Sequence, residues 1–198
     1  MQLMTEKEKG KPLPTVDELE MELSRVQYRN RYGKILRNTV FTLITVAATA
    51  VLVAVLFLPV LQIYGHSMAP GLEEGDIVAA LKGAEFQTGD VVAFYYNNKI
   101  LVKRVIAGPG DWVDIDAEGN VSVNGKALDE PYLSEKALGE CDIGLPCQVP
   151  ENRWFLMGDH RSVSVDSRSS AVGCVSEEEI VGRLVFRAWP LEKIGFIK

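Results

Sequence analysis

The sequence has few of the residues from which metal sites and nucleic-acid-binding surfaces are built. Its 198 residues include two histidines and three cysteines, and the formal net charge is −6. The cysteine spacings match no common structural zinc site, so we expect neither a metal ion nor another cofactor. An acidic chain also gives no reason to expect nucleic acid as a partner. Disorder is disfavoured because 47% of the residues are hydrophobic.

Charge is absent altogether from residues 39–58, where threonine is the only polar residue type. A helix of this length is about 30 Å long, which matches the hydrocarbon core of a bilayer. Threonine hydroxyls can hydrogen-bond back to the preceding turn, and Pro59 marks the expected end of the helix. We therefore predict a membrane-spanning helix over 39–59, rather than a buried core helix or a cleavable signal peptide.

Acidic residues are absent from Arg25 to Arg37, a stretch that contains five basic residues. The positive-inside rule therefore places residues 1–38 in the cytoplasm and residues 60–198 outside. The predicted protein crosses the plasma membrane once, with the lipid bilayer as a partner. Residues 16–37 have helical spacing of apolar side chains, and their basic end either contacts anionic headgroups or only sets the topology.

The segment after the predicted membrane helix is rich in valine, isoleucine and aromatic residues in short runs. These runs predict strands, and Asn97-Asn98 and Asn124-Gly125 are typical of hairpin turns. The predicted fold class is mainly β, an antiparallel β-rich ectodomain on one N-terminal helix. The predicted strands are 76–81, 90–96, 99–106, 112–116, 121–123, 154–157 and 180–189, and residues 112–153 are expected to form a less regular insertion.

Two of the three cysteines, Cys141 and Cys147, bracket a short loop in this exported region. An oxidising location permits a disulfide between them. Cys174 is more typical of a small buried apolar residue than of a reactive thiol.

Ser67 stands in a turn-forming segment, GHSMAPGLEEGD, and is either a turn residue or a nucleophile. A nucleophilic serine needs a base, and Lys103 is a candidate because strand alternation puts it on one face with Leu101 and Val105. If that face is buried, the amine is neutral near physiological pH; otherwise the side chain reaches water. His66 points away from Ser67 in an extended segment, whereas spacing alone does not exclude His160.

Four segments decide between these readings: SMAPGLEEGD (67–76), GDVVAF (89–94), KRVIAGPGD (103–111) and GDHRSVSVDSR (158–168). In order and spacing they resemble the bacterial type I signal peptidases, and single-anchor Gram-positive members in particular. The resemblance runs from the predicted membrane helix to about Arg187. It implies a serine–lysine endopeptidase that acts as a monomer and removes N-terminal signal peptides from exported preproteins.

The resemblance also assigns roles to individual residues. It makes Ser67 the nucleophile, Lys103 the general base and Ser164 the residue that orients the lysine amine. Asp166 and Arg168 match a pair that braces the active-site strands, and Asp159 and Arg161 have a structural role in the same turn. The residues it places around the substrate pocket are Ile63, Met68, Leu72 and Leu101. Because such substrates bind in an extended form, we expect them to add to the strand edges 61–66 and 99–103.

The sequence departs from the family pattern at four positions. Gly65 stands where some members have an oxyanion-binding serine, so backbone N–H groups, chiefly that of Ser67, are expected to bind the oxyanion. Gly71 replaces a threonine, Ala107 a glycine and His160 an asparagine. Two other functions fit the sequence less well: a self-cleaving repressor-type protease, which is soluble, and a non-catalytic membrane-tethered β module.

Overall fold

A computed structural model describes residues 15–197 of the chain. The first 14 residues of the predicted cytoplasmic segment 1–38 lie outside the described residues, as does Lys198. The first element is one continuous helix, α1 (Val16–Phe57), whose side chains are not buried. The chain divides between Val53 and Ala54 into two compact units, of which the second is β-rich.

The helix α1 joins two segments that the sequence predicts separately, 16–37 and 39–58. Three threonine hydroxyls in its apolar part donate hydrogen bonds of 2.9 Å to the carbonyl oxygen four residues earlier; they belong to Thr42, Thr45 and Thr49. The helix ends two residues before Pro59, whose ring disfavours helical geometry in the residue ahead of it. In length and composition α1 is able to cross a membrane.

The β-rich unit consists of short antiparallel strands and two 3₁₀ turns, Glu177–Glu179 and Leu191–Lys193. The strands are β1 (Val60–Gln62), β2 (Ile77–Leu81), β3 (Val91–Tyr96), β4 (Lys99–Ala107), β5 (Trp112–Ile115), β6 (Val121–Val123), β7 (Lys126–Ala127), β8 (Cys147–Gln148), β9 (Arg153–Met157), β10 (Val175–Ser176), β11 (Ile180–Trp189) and β12 (Gly195–Phe196). The predicted mainly antiparallel β fold on one N-terminal helix is thereby confirmed.

Most strands form one sheet of eight, in the order β1-β2-β11-β3-β4-β9-β10, with β12 paired to β11. The hairpin between β3 and β4 turns at Asn97 and Asn98, which both have positive φ as a type I′ turn requires. Residues Val91–Phe94 of β3 are buried at every position. The strand β4 therefore lies beside a strand with both faces covered, in the middle of the sheet.

The predicted insertion 112–153 is more regular than the sequence suggests, because it contains a second sheet in the order β7-β6-β5-β8. Asn124 and Gly125 form the predicted turn, both with positive φ. The irregular part is confined to residues 128–146, in which the structure shows neither helix nor strand. We call residues 128–146 the clasp segment.

The structure does not contain the predicted disulfide: Cys141, Cys147 and Cys174 all have free thiols. Burial, together with the neighbouring Cys141, raises the pKa of the Cys147 thiol, and burial raises that of Cys174 to about 11. Both thiols are thus protonated at neutral pH, which slows their oxidation because the thiolate is the reactive form. The Cys141–Cys147 disulfide stays a prediction for the exported protein, to be checked by mass mapping without reductant.

Candidate active site

Ser67 lies in a tight turn between β1 and β2, and local hydrogen bonds fix that turn. The Ile63 amide donates to the Asp76 carbonyl over 2.8 Å, and the Leu72 amide donates to the Met68 carbonyl over 2.8 Å. Met68 and Leu72 are each 2% exposed and fasten the turn to the core, whereas Ser67 is only half-buried. The turn therefore presents the Ser67 hydroxyl at the surface of the unit.

Lys103 lies in the middle of β4, where its side chain is 3% exposed. Its Nζ donates a hydrogen bond of 2.8 Å to Ser67 Oγ, across 36 residues of sequence. Burial lowers the pKa of the Lys103 amine to about 8, an effect that the charge of Asp166 partly opposes. The sequence left open whether this face of β4 is covered, and the structure shows that it is.

The turn of residues 158–168 closes the site from the other side. The His160 amide donates a hydrogen bond of 3.0 Å to the Ser67 carbonyl, which fixes the nucleophile's backbone to this turn. Gly158 is required there: a Cβ at this position would lie 2.2 Å from Ser164 Oγ and 2.5 Å from the Ser67 carbonyl oxygen. The approach of the two backbones depends on that missing side chain.

Asp166 and Arg168 form a buried pair behind the turn, as the resemblance implies. The Arg168 guanidinium donates to both carboxylate oxygens over 2.8 Å, and Asp166 also accepts from the Gly158 amide over 2.9 Å. Burial opposes ionisation of Asp166, but these hydrogen bonds and the arginine charge lower its pKa below the usual range. The pair is therefore ionised and holds Gly158 in place.

The Ser164 side chain is 2% exposed and lies close enough to Asp166 to help lower the pKa of that carboxyl. It packs against Gly158 but does not bond to the Lys103 amine. Its predicted role in orienting that amine is thus not visible in the structure and stays a prediction.

Neither histidine side chain hydrogen-bonds to Ser67 among residues 15–197. His66 Nε2 lies 3.4 Å from a carboxylate oxygen of Glu74 on the surface, and His160 Nε2 lies 3.8 Å from a carboxylate oxygen of Glu135. The structure therefore favours the lysine over His160 as the partner of the serine hydroxyl.

A cleft of about 790 Å³ opens beside the Ser67–Lys103 pair. Its lining residues come from two stretches of chain and from the serine turn: Val60, Leu61, Gln62, Ile63, Tyr64, Gly65, Ser67, Met68, Lys99, Ile100, Leu101 and Val102. Of the predicted pocket residues, Ile63, Met68 and Leu101 line the cleft. Leu72 does not; it packs in the core with Ile63 and Met68 and supports the wall from behind.

Two strand edges border this cleft. In the described residues β1 pairs only with β2, and residues 99–103 of β4 pair only with β3 because β9 begins its pairing at Arg104. Backbone groups on these edges are available to an extended peptide. Residues 61–62 and 99–103 of these edges were predicted from the sequence, whereas residues 63–66 of the predicted edge lie beyond the end of β1 and outside any strand.

Two residues near the site, Glu130 and Tyr132, were not predicted from the sequence. Glu130 pairs with Arg161, and the ring of Tyr132 lies under the guanidinium of Arg104. Both belong to the clasp segment, where no regular spacing indicates a buried position. Arg104 itself lies in a quoted motif, and its partner Asp159 was expected only to be structural.

Comparisons with known proteins show which family the chain belongs to. Residues 36–189 match the family described as signal peptidase, peptidase S26. The chain belongs to this family. It is 37% identical over 154 residues to signal peptidase IB of Staphylococcus aureus strain MRSA252, covering 68% of this chain and 79% of that protein. It is 35% identical over 170 residues to the chloroplastic thylakoidal processing peptidase 1 of Arabidopsis thaliana, covering 75% of this chain and 48% of that protein.

Among solved structures, the chain is similar to a signal peptidase I from Enterococcus faecalis V583. The sequence identity is 27% and the TM-score 0.45, and the match covers 51% of this chain and 97% of the other. Family membership and the apolar helix α1 identify a membrane-anchored peptidase.

In the described residues no group of three or more histidine, cysteine or carboxylate side chains could hold a metal ion.

Proposed function

We propose that this protein is a membrane-bound endopeptidase that removes N-terminal signal peptides from exported preproteins, with Ser67 as nucleophile and Lys103 as general base. Membership of the signal peptidase family supports the activity. The observation that carries the residue assignment is the hydrogen bond of 2.8 Å between Lys103 Nζ and Ser67 Oγ, made by a buried lysine to a serine that lines the cleft.

The chemistry needs Lys103 in its neutral form. A neutral Nζ accepts the Ser67 hydroxyl proton while Oγ attacks the carbonyl carbon of the scissile peptide bond. The resulting ammonium group then gives that proton to the leaving amine as the C–N bond breaks, which leaves an acyl-enzyme on Ser67. A water molecule, deprotonated in turn by Lys103, hydrolyses the ester and restores the serine hydroxyl.

The oxyanion of the tetrahedral intermediate needs hydrogen-bond donors. Within the described residues the Ser67 amide donates to no other group, which leaves it for this purpose. Gly65 has no hydroxyl to add, and its φ of +80° suits the turn that brings the chain to Ser67. The Ser67 backbone N–H is therefore the principal donor that we assign to the oxyanion.

Substrate selection follows from the two open strand edges. An extended peptide that pairs with residues 61–66 and 99–103 directs alternate side chains into the cleft. Ile63, Met68 and Leu101 narrow it with apolar surface, which suits small residues at the first and third positions before the cut. Because both members of the dyad come from one chain, the proposed active form is a monomer.

The proposed topology puts residues 1–38 in the cytoplasm and the β-rich unit outside. It rests on the five basic residues between Arg25 and Arg37, which all lie on the described helix α1. The proposed location is the plasma membrane, with the apolar part of α1 in the lipid bilayer. This arrangement confines the enzyme to the surface that also holds its substrates, which raises their effective concentration.

The test is cleavage of a preprotein by the full-length protein in lipid vesicles. Ser67→Ala and Lys103→Ala are each expected to abolish cleavage, because members of a catalytic unit are not additive. Ser122→Ala and Lys126→Ala are matched controls on the second sheet and should cleave at the normal rate. Persistent cleavage by Ser67→Ala would reject the assignment, and an inactive wild-type protein would favour a non-catalytic β module.

A further inference from the structure

The clasp segment contributes a buried carboxylate and a tyrosine next to the site. Glu130 forms an ion pair with Arg161 in which both side chains are fully buried. Tyr132 donates its hydroxyl hydrogen to the same carboxylate over 2.9 Å, and its ring centroid lies 3.9 Å from Cζ of Arg104. Burial, reinforced by the Glu130 charge, raises the pKa of Tyr132 far above its usual value, so the hydroxyl stays a donor. The tyrosine thus links two buried arginines.

Further along, the clasp segment lies tightly against the turn of residues 158–168. The Arg168 guanidinium donates to the Leu138 carbonyl over 2.6 Å, and the Asp142 amide donates to the Arg168 carbonyl over 3.1 Å. A Cβ at Gly139 would lie 2.4 Å from the Arg161 carbonyl oxygen. The clasp segment therefore has a fixed position relative to the turn that holds the Ser67 backbone.

Arg104 connects this network to the proposed base. It follows Lys103 on β4, and its guanidinium donates to both oxygens of Asp159 over 2.8 and 2.6 Å and to the Gly89 carbonyl over 2.6 Å. The Tyr132 ring covers one face of the same guanidinium. The negative face of the ring attracts the cation and also excludes water from it. Tyr132 thus packs on the guanidinium group that Asp159 binds.

We infer that Tyr132 is a positioning residue for the Ser67–Lys103 pair, acting through the Arg104–Asp159 ion pair. The inference rests on the proposed function, because it gives Tyr132 a part in that reaction. Tyr132 touches neither member of the pair and is not a catalytic residue. It holds Arg104 in place, and Arg104 compensates the negative charge of Asp159 beside the site.

The charges around Lys103 give this role a measurable consequence. The charges of Asp166 and Asp159 favour the protonated form of the Lys103 amine, whereas the charge of Arg168 disfavours it. Arg168 is fixed on Asp166, and Arg104 on Asp159. When Arg104 leaves Asp159, that carboxylate is less compensated and stabilises the ammonium form of Lys103. A smaller fraction of the enzyme then carries the neutral base at pH 7.

The test is the pH profile of kcat/KM for Tyr132→Leu in the full-length protein, with a preprotein as substrate. Leucine retains apolar bulk but has no π face for the guanidinium. We expect kcat/KM at pH 7 to fall about tenfold, which corresponds to a shift of about one pH unit in the profile. Activity should largely recover at pH 9 to 9.5, where the base is neutral in both proteins.

Tyr132→Phe is the matched control, because it retains the ring under Arg104 and loses only the hydroxyl group. We expect its pH profile to follow that of the wild type. A purely structural role of Tyr132 would lower the amount of active enzyme equally at every pH. An unshifted profile for Tyr132→Leu, or a Tyr132→Phe profile shifted as far as that of the leucine variant, overturns the inference.

Two further measurements separate misfolding, and failure of the proposed function, from failure of the inference about Tyr132. If Tyr132→Leu does not fold, as judged by circular dichroism, Tyr132→Met tests the same loss of the ring with a longer apolar side chain. Ser67→Ala and Lys103→Ala are measured beside these variants. An active Ser67→Ala variant rejects the proposed function itself, whereas an inactive one beside an unshifted Tyr132→Leu profile rejects only the role of Tyr132.

Discussion

Each face of β4 buries one basic side chain, but only one of the two has a carboxylate partner. Lys103 is 3% exposed and Arg104, the next residue, is 4% exposed. Arg104 is paired with a carboxylate on its face, whereas no carboxylate forms a salt bridge with Lys103 among the described residues. Burial with a partner keeps a side chain charged, and burial without one favours the neutral form.

The same contrast extends beyond β4. Arg161 and Arg168 are fully buried and each is paired with a buried carboxylate, so the side of the site that faces the clasp segment carries fixed charges. The cleft side offers apolar surface and unpaired strand edges. The charges on the clasp side are thus compensated by pairing, whereas the charge of Lys103, the proposed base, is disfavoured by burial.

The largest effect on activity should come from replacing Lys103, on the cleft face of β4, with a residue that is always positively charged. Lys103→Arg keeps a positive charge at every accessible pH because arginine does not deprotonate, so it should be as inactive as Lys103→Ala. The wild-type enzyme should become more active as the pH rises through about 8, since the pKa of Lys103 is lowered to that value. Both are measured as kcat/KM from pH 6 to 10. Activity of Lys103→Arg would contradict the lysine mechanism.

Breaking the pair on the other face should cost stability. Asp159→Asn leaves the Arg104 cation buried without its carboxylate, and we expect the free energy of unfolding to fall by about 3–5 kcal/mol. Denaturant unfolding of the full-length protein in detergent measures it. Glu73→Gln is the control, because it breaks an exposed ion pair with Lys193 and should change little. Equal effects of the two variants would contradict the contrast between buried and exposed pairs.

Removing the unpaired cation should instead increase stability. The folded-state pKa of Lys103 lies below its ordinary value of 10.5, at about 8, so the folded protein binds fewer protons between these values. Below pH 8 the buried ammonium group opposes folding, by about 3 kcal/mol for a shift of this size. Lys103→Met should therefore unfold at higher denaturant concentration than the wild type at pH 7. The gain should shrink as the pH rises from 8 to 10.5, and a gain that does not shrink has another origin.

The sequence predicts the local parts of this arrangement well. The runs 90–96 and 99–106 contain the strand-forming residues of β3 and β4, and Asn97-Asn98 supplies the positive φ angles between them. The four motifs indicate Ser67 and Lys103. The strands β7, β8, β10 and β12 were missed because two residues are too few to show an alternating pattern.

Contacts between distant parts of the chain could not be predicted from the patterns of single segments. Alternation along β4 says that Lys103 and Arg104 lie on opposite faces, but not which face is covered. The contact of Arg104 with Tyr132 joins a strand to an irregular segment 28 positions later, and no periodicity marks the tyrosine. Leu72 was expected to line the cleft, although in the serine turn it points into the core.

The smallest effect should come from the histidine beside the site. His160 fixes the Ser67 carbonyl through its backbone amide, which every residue except proline provides. Among residues 15–197 its side chain has only a distant contact with Glu135, at 3.8 Å. His160→Asn should therefore change kcat/KM by no more than about twofold at any pH between 6 and 10, the usual size for a side chain without a close partner. His66→Asn is the matched control. A large loss of kcat/KM for His160→Asn, without a similar loss for His66→Asn, would show that the His160 side chain takes part in proton transfer. Burial of Lys103 would then not be sufficient to explain the base.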